Sequence, residues 1–365
     1  MKVIFITREG YELSGARVRC YNFARELRGH GIDARVFSFA EHFDAKYGEK
    51  EFGMSLPYKL WLSARALGTF MKEDPQTVFI LQRFNYHALA PLVAAGLKKH
   101  RVIFDCDDWN IREDPVYYFG FYPSSKMEYV TRRVARNAVA CIAASHYLQD
   151  YLSAFNPRVS LLPTGVDTQK FFPRSREDRA EFVFSWIGTA YHEDMGKNLD
   201  FMLSCFDSLA DRYSHVILSL AGEGKYFERF RASIGSHRHR DRIRVSGWVP
   251  ADSMPEYLSG VDVGLLPLIQ RTKFNLSKSP TKLFEYMAMG LPTVASDTGE
   301  AGRILRDGHA GILARDRGSF VAAMERMVED RPLRMDMGRR ARQDVEERFS
   351  LRALGSQLAA LLQEI

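Results

Sequence analysis

Cysteine is scarce: four in 365 residues, at Cys20, Cys106, Cys141 and Cys205. None forms a CxxC pair, so neither a disulfide framework nor a zinc site is indicated and a reducing, cytoplasmic setting is expected. No apolar run approaches the roughly 18 residues of a membrane span. The opening MKVIFITREG reads as a buried strand running into polar residues, not as a secretion signal. A soluble or peripheral protein is expected. Short-period repeats and low-complexity tracts are missing, and charge is not lopsided. The 51 Lys and Arg against 45 Asp and Glu leave +6, a modest attraction to anions spread over the chain. Zinc-finger spacing and RNP-like aromatic strands are also missing, so no nucleic-acid partner is expected. Sugar nucleotides and anionic lipid stay open as partners.

What is present is a globular composition, 46% hydrophobic and 26% charged. The length suits about two domains of roughly 100 to 200 residues each. Apolar runs at KVIFIT, ARVFSF, TVFILQ, RVIFDC, ACIAAS and VSLLP alternate with helical patterns such as RCYNFARELRGHG. That alternation predicts a parallel sheet covered by helices. The pattern restarts after residue 173 with EFVFSWIG, HVILSLAG, IRVSGWV, VGLLPL, PTVAS and GILA. Two doubly wound units in tandem follow, residues 1–170 and 171–350, with the charged stretch 171–181 as linker. The amphipathic segment 351–365 is expected to pack back on the first unit. Ligands of open α/β sheets bind beyond the carboxyl ends of the strands, which directs attention to those ends and to a cleft between the units.

The sharpest segment is FNLSKSPTKLFEYMAMGLPTVAS, residues 274–296. Ser279 and Pro280 read as the N-cap and first residue of a helix that ends at Gly290. A helix N-terminus attracts anions, and Lys278, Thr281 and Lys282 add donors there. Glu285, three residues after Lys282, falls on the same face and can accept hydrogen bonds from ribose hydroxyls. The plainer alternative is a solvated helix with an ordinary Lys and Glu pair.

With these residues the sequence resembles the retaining glycosyltransferases of family 4, which have the GT-B fold of two Rossmann-like doubly wound domains facing a central cleft. The resemblance covers nearly the whole chain. It implies a sugar transfer from a nucleotide diphosphate sugar to an acceptor hydroxyl, in glycan, polysaccharide or glycolipid synthesis. The acceptor would be a glycan or a lipid-linked glycan, with peripheral contact at the inner membrane face. Neither a cofactor nor a metal is implied. Glu285 matches the second glutamate of the family's Glu, seven residues, Glu motif, while Ser277 stands at the first. The KSxxKxxEY form, Lys278 to Tyr286, resembles a subset that lacks that first acid.

Other segments carry the resemblance further. LLPTGVDTQKFFP, residues 161–173, is similar to the family's turn closing the first domain, with Thr164 for the usual Asn; a purely structural Gly turn leading into the linker is the favoured reading. By resemblance Ser14, Gly15 and Arg17, after the first strand, face the ligand. Gly188 ends the strand that opens the second unit. Thr189 stands where the family has an Arg, Lys197 matches its Lys at the following helix, and His192 in GTxxH is similar to the same subset. Trp248 and Val249 border the expected nucleobase pocket.

VIFDCDDW, residues 102–109, ends a strand with Asp105, Asp107 and Asp108. Asp107 stands where many family members have a His near the sugar, and is expected to orient acceptor or donor. A metal-binding DxD, a phosphatase nucleophile and a helix cap are the other readings. The catalytic set implied is Asp107, Lys282 and Glu285. A catalytically degenerate nucleotide-binding scaffold is the alternative to the enzyme, motivated by Ser277, Thr189 and Asp107. Of two basic stretches, residues 55–72 mix Trp61, Leu60 and Phe70 with Lys59, Arg65 and Lys72, which suits either a packed helix or a membrane surface. Residues 225–244 read as a solvated face.

Overall fold

The computed structural model describes residues 1–45, 54–112, 117–118, 120–124, 126–174 and 180–365. The middle of the expected linker, residues 175–179, lies outside them. The chain divides into two compact units. The first contains Met1–Gly165, Ser277–Ser279 and Leu351–Ile365; the second contains Val166–Leu276 and Pro280–Ser350.

The first unit is built on six parallel strands, β1 (Lys2–Thr7), β2 (Asp33–Ser38), β3 (Val78–Gln82), β4 (Arg101–Cys106), β7 (Ala140–Ala143) and β8 (Val159–Leu161). A short antiparallel pair, β5 (Tyr117–Tyr118) and β6 (Tyr122–Pro123), lies outside that sheet. Strand residues alternate between two cores. Val3, Phe5, Val78 and Ile80 pack with Phe23, Leu27, Leu354 and Leu358 on one face. Ile4, Ile6, Phe79 and Leu81 pack with Leu62, Ala66, Phe70, Ala90 and Ala94 on the other. A sheet buried on both faces needs apolar residues at nearly every position, which explains why the central strands β1 and β3 read as unbroken apolar runs, while the edge strand β2 exposes Asp33 and Arg35. The helix Leu351–Gln363 completes the first core, with the Gly355 backbone close against Glu26.

The second unit repeats the plan with β9 (Phe182–Thr189), β10 (Val216–Glu223), β11 (Ile243–Ser246), β12 (Val263–Leu266), β13 (Thr293–Ser296) and β14 (Gly311–Ala314). Its sheet order is β11-β10-β9-β12-β13-β14, all parallel. Residues 166–170, expected in the first unit, pack with this one. The cause is local: Val166 N–H donates to the Phe349 carbonyl at 3.1 Å, and Arg342 donates to the carbonyls of Phe171 and Thr168.

In the first sheet, ordered β2-β1-β3-β4-β7-β8, the winding reverses between β1 and β3; in the second it reverses between β9 and β12. Crevices open at the carboxyl ends of strands at such reversals.

Candidate functional site

In the second unit the reversal is lined by Gly188 and by the helix Thr281–Ala288. Gly188 has φ of +145°, which a side chain would strain, and a Cβ there would stand 2.5 Å from Lys282 Nζ. Glycine at the end of β9 therefore makes room for the ammonium group. Lys282 Nζ also lies 4.3 Å from the centroid of the buried Trp186 ring, a cation–π contact that steadies it.

The helix is anchored from below. Leu283, Phe284, Tyr286 and Met287 are buried. The Tyr286 hydroxyl accepts from Ile187 N–H and donates to the Ser185 carbonyl, each at 3.2 Å, tying the helix to β9. Its ring packs so closely on Gly264 of β12 that a Cβ there would stand 2.3 to 2.7 Å from three ring atoms. With those positions pinned, Lys282 and the half-buried Glu285, three residues apart, emerge on one side of the helix. The strand ends nearby are also held: Leu268 N–H donates to Ser296 Oγ at 3.0 Å and Ile269 N–H to Asn198 Oδ1 at 3.1 Å.

The helix start differs from expectation by one residue. Pro280 occupies the cap, and Ser279 does not cap because its Oγ accepts from Thr164 N–H at 2.8 Å. The helix closes at Ala288, and Gly290 follows with φ of +68°. Ser277, Lys278 and Ser279 cluster with the first unit, where Ser277 Oγ accepts from Trp109 N–H at 3.0 Å. Thr189 is exposed at the end of β9, and His192 packs edge-on to Phe274 at the start of the helix Glu193–Ala210. That helix carries Glu193 and Asp194 in its first turn, charges that disfavour an anion there. Lys197 pairs with Glu193 at 2.8 Å on the surface. Trp248 is exposed and Val249 half-buried in the loop after β11.

The first unit carries a buried charge network at its own reversal, little of it evident beforehand. Arg19 donates to both Asp105 oxygens, at 3.1 and 2.5 Å, and to the Leu162 carbonyl. Arg83, in left-handed backbone at φ of +53°, bridges Asp107 (Nε to Oδ1, 2.8 Å) and Glu9 (Nη2 to Oε2, 3.4 Å). Gln82 Nε2 donates to Asp107 Oδ2 at 2.9 Å and to the Gly15 carbonyl at 3.2 Å. Gly15 thus joins Asp107 through Gln82, while the Arg17 guanidinium turns to the carbonyls of Tyr11 and Glu12. Burial alone would raise the Glu9 carboxyl, but Arg83 and Arg8 hold it below its ordinary range. Burial, opposed by Lys278 and Arg83, pushes Asp108 up to about 6. Burial and the charge of Arg8 lower His87 to about 3, so it is neutral in the fold. With Asp105 committed to Arg19, the three acids do not form the open carboxylate set a phosphatase nucleophile requires. Among the described residues no three His, Cys, Asp or Glu side chains come together as a metal-holding group.

Glu9, Arg19, Gln82 and Arg83 were not singled out from the sequence. The signal available for three of them was position: Glu9 follows β1, Gln82 ends β3 and Arg83 follows it.

Residues 13–170 match the family model described as Glycosyltransferase Family 4, and residues 181–330 match the one described as Glycosyl transferases group 1. The chain carries a domain of each type, in that order. Among curated relatives, it is 30% identical to the colanic acid biosynthesis glycosyltransferase WcaL of Salmonella typhimurium over 40% of this chain and 37% of that protein. It is 26% identical to the alpha-D-kanosaminyltransferase of Streptomyces kanamyceticus over 46% of this chain and 43% of that protein. The matches span less than half the length of both relatives. Among solved structures, the sucrose-phosphate synthase of Thermosynechococcus elongatus superposes with a TM-score of 0.74 at 13% identity, covering 100% of this chain and 99% of that one. HepE of Anabaena, in complex with UDP-glucose, does so with a TM-score of 0.73 at 16% identity, covering 100% of both. The fold is GT-B, two Rossmann-like units each on a six-stranded parallel sheet.

Proposed function

We propose that the chain is a glycosyltransferase of the retaining, family 4 kind, moving a sugar from a nucleotide diphosphate sugar to an acceptor hydroxyl without a bound metal. The observation that carries this reading is Lys282, seated on Gly188 and Trp186 at the reversal of the second sheet. Its ammonium group and the start of the helix Thr281–Ala288 would meet the diphosphate. Glu285, one turn on, would accept from the ribose hydroxyls. As the bond from sugar to phosphate breaks, negative charge grows on the leaving diphosphate. A fixed cation there stabilises the transition state more than the ground state. Retention is read as a front-face reaction in which the leaving phosphate oxygen takes the acceptor proton, so no strong general base is required. Asp107, held by Arg83 and Gln82, would orient a sugar hydroxyl.

The names of WcaL and the kanosaminyltransferase support transfer of a sugar, and the UDP-glucose complex of HepE supports a nucleotide sugar as donor. The reaction would belong in the cytoplasm, on a glycan or lipid-linked acceptor of a polysaccharide pathway. The test is to incubate the protein with UDP-, GDP- and ADP-sugars in EDTA, with a mixture of glycan and lipid-linked glycan acceptors to take the sugar, and follow release of the nucleoside diphosphate. Release from one donor family, undiminished by EDTA, is expected. Strict dependence on added Mg²⁺ would contradict the metal-independent part, and binding without release from any donor would favour the degenerate scaffold.

A further inference from the structure

The turn after β3 holds a strained residue. Arg83 has left-handed backbone, with φ of +53°. A residue with a side chain keeps that conformation only where its surroundings enforce it. Here they do so from both sides. Arg83 N–H donates to the Asp105 carbonyl of β4 at 2.7 Å. The carbonyl just before it, that of Gln82, accepts from His87 Nε2 at 3.0 Å. Burial and the charge of Arg8 keep His87 neutral, and because a carbonyl only accepts, the single ring proton sits on Nε2. The buried His87 thereby fixes the peptide on which Arg83 turns.

What the turn achieves is the placement of a guanidinium between two acids. Nε lies 2.8 Å from Asp107 Oδ1, and Nη2 lies 3.4 Å from Glu9 Oε2. Glu9 is fixed in its turn. Its N–H donates to Thr7 Oγ1 at 3.2 Å, its carbonyl accepts from Ser38 Oγ at 2.9 Å, and its Oε1 accepts from Arg8 Nη2 at 3.2 Å. Burial works against the charge on Arg83, but Asp107 and Glu9 outweigh it and raise the guanidinium above its ordinary range. Gly15 leaves the space, since a Cβ there would stand 2.6 Å from Arg83 Nη2. The second unit uses the same device, Gly188 making room for Lys282. Buried ion pairs are a poor source of stability, and backbone strain adds to their cost. Together they mark a group held for its geometry.

We propose that Arg83 is a positioning residue of the transfer reaction: anchored on Glu9, it sets the angle at which Asp107 meets a sugar hydroxyl. This role rests on the transferase reading, with Asp107 touching the substrate and Arg83 acting through it. Lysine cannot replace Arg83, because one ammonium group does not span two acids as a planar fork does. Steady-state kinetics of wild type, R83K, E9Q, D107N and R83K/D107N test it, with the same sugar nucleotides and acceptor mixture. Melting temperatures and nucleoside diphosphate affinities are measured on the same samples. R83K keeps the charge, so its melting temperature and its nucleoside diphosphate affinity should match the wild type. Its kcat should fall about tenfold to a hundredfold at an unchanged donor KM, the scale of a small misplacement of a group at the reacting centre. D107N should lower kcat as well, and R83K/D107N should fall no further than D107N alone. E9Q, which loosens the anchor and leaves the Asp107 pair, should lower kcat by a smaller factor, and it decides the matter should R83K not fold. A wild-type kcat in R83K, or in E9Q where R83K does not fold, would overturn the proposal and leave the transferase reading standing. So would a double variant whose loss is the product of the two single losses. Full activity of D107N would overturn it by removing Asp107 from the reaction. A wild type that turns over none of the donors would overturn the transferase reading and this role together.

Discussion

Asp108 and His87 pull the pH dependence of stability in opposite directions. An acid raised in the fold, as Asp108 is to about 6, favours the native state below the unfolded value of 3.8, and that contribution is lost as pH rises through about 6. A base lowered in the fold, as His87 is to about 3, contributes stability above its unfolded value of 6.5, lost as pH falls toward 3. The two effects overlap and partly cancel between pH 4 and 6, on the order of the 1.4 kcal/mol that one pKa unit represents. Asp108→Asn removes one side of that balance. Urea unfolding at several pH values should then show stability rising more steeply with pH than in the wild type, and an unchanged slope would refute the assignment. Gly15 offers a second residue-scale test. A Cβ there would stand 2.6 Å from Arg83 Nη2 and 3.1 Å from Glu9 Oε2. Gly15→Ala should displace Arg83 and cost about 1 to 3 kcal/mol in chemical denaturation, whereas a neutral result would mean that the network yields freely.

At the scale of elements, the helix Thr281–Ala288 is positioned by its seat on β9 and β12. A methyl group on Gly264 would stand 2.3 to 2.7 Å from atoms of the fully buried Tyr286 ring. Gly264→Ala should therefore destabilise by about 1 to 3 kcal/mol and also weaken nucleotide affinity, because the helix that shifts carries Lys282. Loss of stability with affinity intact would detach the helix seat from the site. The central strands of the two long sheets were legible because a sheet buried on both faces requires continuous apolar runs, and the edge strands β2, β8 and β11 by their shorter apolar stretches between helices. The Tyr117–Tyr118 and Tyr122–Pro123 pair was not, since its two-residue strands are too short to show a period. The cap at Pro280 was missed because Ser279 is claimed by Thr164, a partner 115 positions away that no local pattern reveals. Lys282, Glu285 and Gly188 were legible from helix spacing and from a glycine closing a strand. The Glu9, Arg83, Asp107 and Gln82 network was not, because only the sheet order brings those strand ends together. Lys197 was read from its place at the start of a helix, and its pair with Glu193 one turn back was not.

For the whole molecule, the pattern is one plan used twice: a six-stranded parallel sheet with a reversal, and polar residues gathered at the carboxyl ends beside it. In the second unit those residues include a cation and a carboxylate on one short helix, over a glycine that leaves room for them. In the first they form a buried network of paired charges. The two domain types matched along the chain follow the same division. The central claim is that the second unit's reversal is a nucleoside diphosphate site organised by Lys282. Isothermal titration of wild type and Lys282→Ala with UDP, GDP and ADP tests it most directly. Saturable wild-type binding of one of them, weakened about tenfold or more by Lys282→Ala at an unchanged melting temperature, is the predicted result, given the roughly 1.5 to 3 kcal/mol of a charged hydrogen bond. Equal affinity in both proteins, or no binding of any of the three to the wild type, would contradict it.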